Sequence, residues 1–109
     1  MSVDALTHQL IDLLRAGQFE RLLSVWQSAP SGQREIESAK RTAAAALAQI
    51  GNLAASYQLL SELAVRREAE PASLLLAGRV AFDLGEFGAS VDHFERLVNR
   101  DRGKVDAWR

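Results

Sequence analysis

The chain has no cysteine, which excludes a disulfide framework and a thiolate metal site. It has two histidines, His8 and His93, too distant in sequence to suggest the three or four convergent donors that a metal ion needs. Lysine occurs only as Lys40 and Lys104, so arginine carries most of the positive charge. The formal net charge is −1, which gives no general pull toward nucleic acid or an anionic membrane. No apolar run approaches the ~18 residues that would span a bilayer. The opening MSVDALTHQLIDLL has an early acid and no basic flank, unlike a signal peptide, so the expectation is a cytoplasmic protein. With 109 residues and 48% of them hydrophobic, the chain suits one domain with a core of its own.

What is present is a period. Gly17, Gly51 and Gly85 are equally spaced, in RAGQFERLLSVW, AQIGNLAASYQLL and DLGEFGASVDHF. An apolar residue follows two places on (Phe19, Leu53, Phe87) and a large one nine places on (Trp26, Leu60, Phe94). Self-similarity at the fixed interval from Gly17 to Gly51 and again to Gly85 marks stacked helix–turn–helix units. Frames 3–36, 37–70 and 71–104 bring the glycines into register, and each frame is predicted to hold two antiparallel helices.

The pattern within the frames places the elements. Leu6, Leu10, Leu13 and Leu14 recur at helical spacing up to Gly17, which suits the residue just past a helix end. A second helix is predicted from Phe19 to Ser28, stopped by the turn cluster Ala29-Pro30-Ser31-Gly32. The third is predicted from near Gln33 to Ile50, with Glu37 and Arg41 a favourable pair four apart. The fourth runs from Leu53 to about Arg67, and the fifth opens with Pro71 in its first turn and reaches Leu84. The sixth spans about Phe87 to Asn99, and Asp101-Arg102-Gly103 closes the frame. Leu60, Leu63, Phe94 and Leu97 are the predicted contacts between successive frames.

Catalytic patterns are weak. Asp4, His8 and Asp12 share one helical stripe, which reads as a solvated polar face. Ser90, Asp92 and His93 point in different directions on a helix, whereas a nucleophile needs its base within hydrogen-bond reach. Gly85-Glu86-Phe87-Gly88 lacks the strand-to-helix context of a phosphate loop. Arg66, Arg67, Arg96, Arg100 and Arg102 are offset by Glu62, Glu68, Glu70, Glu95 and Asp101, which argues against nucleic acid.

The chain resembles the tetratricopeptide repeat family along its whole length. The third frame matches best, through Leu74, Ala77, Gly78, Ala81, Gly85, Phe87, Ser90 and Phe94. The family has small residues where the two helices of a repeat cross, and Gly78 with Ser90 and Ala44 with Ser56 fill those places. The first frame departs, with Leu10 and Leu22 at its crossing. The family's proline near each repeat end is replaced by Arg34, Glu68 and Arg102. Trp108 falls one full period after Leu74, where the family pattern has tryptophan. Residues 105–109 are therefore read as the start of a fourth repeat, and the chain as the N-terminal piece of a longer protein.

The resemblance implies an all-α fold, a right-handed α-solenoid of antiparallel helix pairs. It implies a non-enzymatic protein–protein interaction scaffold, without a cofactor, whose concave groove is lined by the first helix of each repeat. Carried over by frame, the peptide-binding groove comprises Thr7, His8, Ile11 and Arg15, then Arg41, Ala45 and Gln49, then Leu75, Arg79 and Phe82. Asp4, Ser38, Thr42, Ala48, Ala72, Leu76 and Asp83 are the remaining lining positions. Ile11, Leu75 and Phe82 are expected as apolar anchors, with Arg41 and Arg79 reading carboxylates of a partner. The carboxylate clamp of chaperone-binding members has no counterpart, because Thr7, Ile11, Thr42, Ala72 and Leu76 stand at its places. Alternative readings are a helper or substrate-positioning domain of a larger enzyme such as a bacterial transferase, a self-association module closing into a homodimer through its open C-terminal face, and a small secretion chaperone.

Overall fold

Each of the three phased glycines carries the backbone into the left-handed region, with φ of 75° at Gly17, 87° at Gly51 and 85° at Gly85. A side chain there costs about 1–2 kcal/mol, and glycine avoids that cost. In the computed structural model, which describes residues 5–107 with side chains through residue 99, the same turn is built three times. The N–H groups of Gln18, Asn52 and Glu86 donate to the carbonyls of Leu13, Leu47 and Ala81, at 3.0, 2.9 and 2.8 Å. Those of Gly17, Gly51 and Gly85 donate to Leu14, Ala48 and Phe82. This pair of bonds satisfies carbonyls that a helix end would otherwise leave open. The next helix then starts at once, with the N–H of Leu22, Ser56 and Ser90 on the carbonyls of Gln18, Asn52 and Glu86.

Among the described residues the chain forms seven helices and no strand: α1 (Ala5–Arg15), α2 (Phe19–Ser28), α3 (Ser31–Arg34), α4 (Glu37–Gln49), α5 (Leu53–Ala64), α6 (Pro71–Leu84) and α7 (Phe87–Ala107). The glycine turns join α1 to α2, α4 to α5 and α6 to α7 as packed pairs. Each later pair docks through its first helix: α4 lies against α1 and α2, and α6 against α4 and α5. One apolar cluster joins Leu6, Leu10 and Leu22 to Ala39, Ala43 and Ala46. A second joins Ala44, Leu60 and Leu63 to Ala77 and Val80.

The closest approaches lie within the second and third pairs. The Ser56 hydroxyl donates to the Ala44 carbonyl at 2.7 Å, and that of Ser90 donates to the Gly78 carbonyl at 2.8 Å. Both serines are buried, and they hold the same place in successive frames. A hydroxyl is short enough to reach a backbone oxygen only where two helices nearly touch. In the first pair Leu10 and Leu22 hold the corresponding places, each fully buried, so an apolar contact replaces the hydrogen bond.

Three boundaries differ from the sequence expectation. The helix expected from Gln33 is two elements. Pro30 (φ −58°, ψ 148°) starts the single turn of α3, and Ile36 (φ −62°, ψ 129°) leaves the helical path before α4 begins. The reason is packing: Ile36 lies against the first apolar cluster. The α5 helix ends at Ala64 rather than near Arg67, and Ala69 is then drawn under it, buried with Ala64 and Leu74. The expected close at Asp101-Arg102-Gly103 is absent, since α7 continues to Ala107. One glycine costs about 1 kcal/mol inside a helix, too little to end it without a turn partner. Trp108 lies outside the described residues.

The crossing at Gly78 yields a test. A Cβ built on Gly78 would lie 2.7 Å from Cε1 and Cζ of Phe94. Gly78→Ala gains about 1 kcal/mol of helix propensity and meets an overpacking cost of about 1–3 kcal/mol. Urea denaturation should show net destabilisation. In a Phe94→Ala background, where the ring is gone, the same change should become stabilising. Equal effects in both backgrounds would contradict the crossing.

Candidate functional site

The first helices α1, α4 and α6 carry the residues expected to line a binding face. Their polar neighbours must be accounted for first, because a side chain spent on packing is not free for a partner.

The start of α6 is held from a distance. Its N-cap residue Glu70 supplies no side-chain cap. Instead the Glu37 carboxylate of α4 accepts the Glu70 N–H at 2.6 Å and the Ser73 hydroxyl at 2.7 Å. A carboxylate at a helix N-terminus also meets the positive end of the helix dipole. Arg41, one turn along α4, pairs with the Glu70 carboxylate and donates to the Ser73 hydroxyl at 3.1 Å. The favourable pair expected between Glu37 and Arg41 is therefore replaced by two contacts from α4 to α6. Arg41 was expected to read a partner's carboxylate; its carboxylate is the chain's own Glu70. Reversing its charge would loosen the docking of α6.

Lys40 is the second such group. Its side chain is only 3% exposed, and its ammonium donates to Glu35 and Glu62 at 2.7 Å each. Burial pulls the ammonium pKa down, but its hydrogen bonds to the two carboxylates outweigh this and the net direction is up. The Glu35 pKa lies below the ordinary value, chiefly through its hydrogen bond from Lys40 and against its desolvation. Lys40 stands one period after Leu6 and one before Leu74, both buried leucines. That mismatch in an apolar column is the sequence signal for its role. Arg66 also donates to the Glu35 carbonyl at 2.9 Å, and Arg96 caps the end of α5 by donating to the Ala64 carbonyl.

The expected groove residues divide. Thr7 is buried, with its hydroxyl bonded to that of Ser38 at 3.0 Å, so it belongs to the α1–α4 contact and not to an open lining. Ile11 is half-buried, while His8 and Arg15 are exposed on α1. Thr42 is buried and bonds back to the Ser38 carbonyl. Asp4 lies outside the described residues. Ala45, Ala48 and Gln49 of α4 do converge with Leu76, Arg79, Val80 and Asp83 of α6 and with Leu53, around a hollow of about 190 Å³. Leu75 and Phe82 are exposed on α6, at 48% and 60%. Phe82 stacks edge-on against Phe87, itself 58% exposed, with centroids 5.2 Å apart. Arg79 is exposed and has no hydrogen-bond or ion-pair partner among the described residues. The hollow thus unites Ala45, Gln49 and Arg79 of the expected groove, while Leu75 and Phe82 are exposed on α6 outside its lining and the α1 residues lie apart.

No reactive constellation appears among the described residues. Ser90 is spent on the Gly78 carbonyl, and His93 bonds through Nε2 to the Tyr57 hydroxyl at 2.9 Å. The two rings meet edge-on at 5.9 Å. The other His93 nitrogen, Nδ1, is buried without a partner among the described residues. Burial lowers the His93 pKa, helped by Arg96 and opposed by Asp92. Burial raises that of Tyr57, with the charges of Glu86 and Asp92. No three potential metal-ligating side chains converge among the described residues, and no described helix is long and apolar enough to cross a membrane.

No protein-family model, curated protein or solved structure matches the chain.

Two outcomes follow from the buried polar groups. Lys40→Leu restores the apolar column and should be neutral or stabilising, because exposed Glu35 and Glu62 regain solvent. The double change Glu35→Ala and Glu62→Ala strands a buried ammonium and should cost on the order of 3 kcal/mol in urea unfolding. The reverse order of effects would contradict the triad.

The pH dependence has a fixed sign. The folded chain favours neutral His93, so that contribution is complete above the ordinary value of 6.5 and falls away as pH drops below it. Glu35 contributes above its ordinary value of 4.5, and this is lost as pH falls through its lowered folded value. Stability measured from pH 8 to pH 5 should decline below about pH 6.5. His93→Gln, which can keep the Tyr57 bond, should flatten that decline. An unchanged slope would assign it elsewhere.

Proposed function

We propose that the chain is a non-enzymatic, cytoplasmic scaffold that binds a peptide or partner protein on the face shared by α4 and α6, within a three-repeat tetratricopeptide-like α-solenoid. The repeat reading is supported by the turn at Gly17, Gly51 and Gly85 and by the serine-to-carbonyl bond, each recurring at the same period. The frame resemblance supplies the expectation that such a face binds polypeptide.

A single observation carries the binding proposal: Arg79, exposed and without a partner among the described residues, lines a hollow between α4 and α6, and α6 also exposes Leu75 and Phe82 outside that hollow. Exposed aromatic and aliphatic groups are what a partner's apolar side chain needs, and a free guanidinium gives direction to an acidic neighbour. The partner is therefore an extended or helical segment with an apolar anchor followed closely by a carboxylate. Arg41 contributes by fixing α6 against α4, not by contact.

The experiment is selection of binders from a displayed peptide library on the full chain, followed by calorimetry. Phe82→Ala and Arg79→Glu should each weaken the selected peptides more than about tenfold, equivalent to about 1.4 kcal/mol, while the exposed Arg21→Glu on α2 should change little. Binders whose affinity ignores both Phe82 and Arg79 would overturn the proposal.

A further inference from the structure

We infer that two copies of the chain associate through the outer face of α7, packing it against its own counterpart about a two-fold axis. The inference is independent of the α4–α6 binding face. It begins with the columns that the repeat frames define. Tyr57, Leu60, Leu63 and Ala64 on α5 correspond to Val91, Phe94, Leu97 and Val98 on α7. On α5 the face is covered: Leu60 and Leu63 are fully buried and share a cluster with Ala77 and Val80 of α6. On α7 the same face is only partly covered: Phe94 and Leu97 are half-buried. Val91 and Val98 are 53% and 52% exposed, and with Phe94 they border a hollow of about 420 Å³. The interface that runs from pair to pair through the described chain therefore continues, in residue type and register, onto a surface that the described residues only partly cover.

What fits that surface is set by the other end of the molecule. Among the described residues, none of the exposed large apolar side chains lies on α1 or α2. The exposed positions of these helices include His8, Gln9, Asp12, Glu20, Arg21 and Gln27. Head-to-tail stacking would lay the apolar α7 face on a polar one. Packing α7 on α7 matches like with like and closes the assembly at two copies. The spacing agrees, because Val91, Phe94 and Val98 step by three and then four, the seam of a two-helix contact. Glu95 and Asn99, exposed beside this seam, would form its wet margin.

Sedimentation equilibrium of the full chain, from micromolar to near-millimolar concentration, tests this. The expected result is a mass that rises from one chain to two and stops there. Val91→Glu and Val98→Glu should each weaken association at least tenfold while the helical circular dichroism is kept, since both side chains are already more than half exposed. Val65→Glu, a like change at an 81% exposed valine, should leave association as it was. The inference is overturned by a mass of one chain throughout, by growth beyond two copies, or by association indifferent to Val91→Glu and Val98→Glu. It is also overturned if Val65→Glu dissociates the pair equally.

Discussion

Two serine hydroxyls set how closely the helices approach. Ser56 on Ala44 and Ser90 on Gly78 each join a side chain to a backbone oxygen across a helix crossing. Such a bond needs the backbones near each other, which explains the small residues on the facing helix: Ala43 and Ala44 in one pair, Ala77 and Gly78 in the other. Close crossing in turn requires a tight connection, and the left-handed glycines provide it without side-chain strain. Once two helices are held that near, their outer edges present a strip of leucine and alanine that only a following helix can cover. The turn, the crossing and the stacking are thus one constraint seen at three scales. The first pair meets it differently, with Leu10 and Leu22 filling the gap by volume.

These features were legible because they are periodic. A glycine at every repeat of the period, with small residues at fixed offsets, is visible without any long-range information. What was not legible is aperiodic. No local pattern announces that the Glu37 carboxylate will cap the helix that begins after Glu70, or that Arg41 will turn to Glu70 rather than to its neighbour four residues back. Polar side chains choose partners by proximity after packing, so their pairing follows the fold instead of preceding it. Ile36 ended a predicted helix early for a similar reason: burial outweighed the local preference for continuing. Lys40 lies between the two cases, because its column of leucines marked it as unusual without naming Glu35 or Glu62.

The same division shapes the candidate site. Of two arginines expected in the lining, Arg41 is absorbed into the docking of α6, and Arg79 stays outward. Thr7 is taken up by Ser38, while Gln49 remains open. Polar groups near the pair-to-pair contacts serve the fold, and those one turn farther along α6 remain available. Exposed large apolar residues follow a gradient too. Among the described residues none occurs before Ile50, and Phe82, Leu84 and Phe87 cluster around the turn at Gly85. The exposed apolar surface of the described residues therefore lies on the second half of the chain.

The central claim is that α4 and α6 present the binding face, and its most direct measurement is a residue-level footprint in solution. Amide chemical shifts of the isotope-labelled chain, recorded with and without a library-selected peptide, give that footprint. The account requires the largest changes along α4 and α6 around Ala45, Gln49, Arg79 and Phe82. It requires little change on α2 and on α5 beyond Leu53. A footprint centred on α2 and α5 that leaves α6 unperturbed would contradict it.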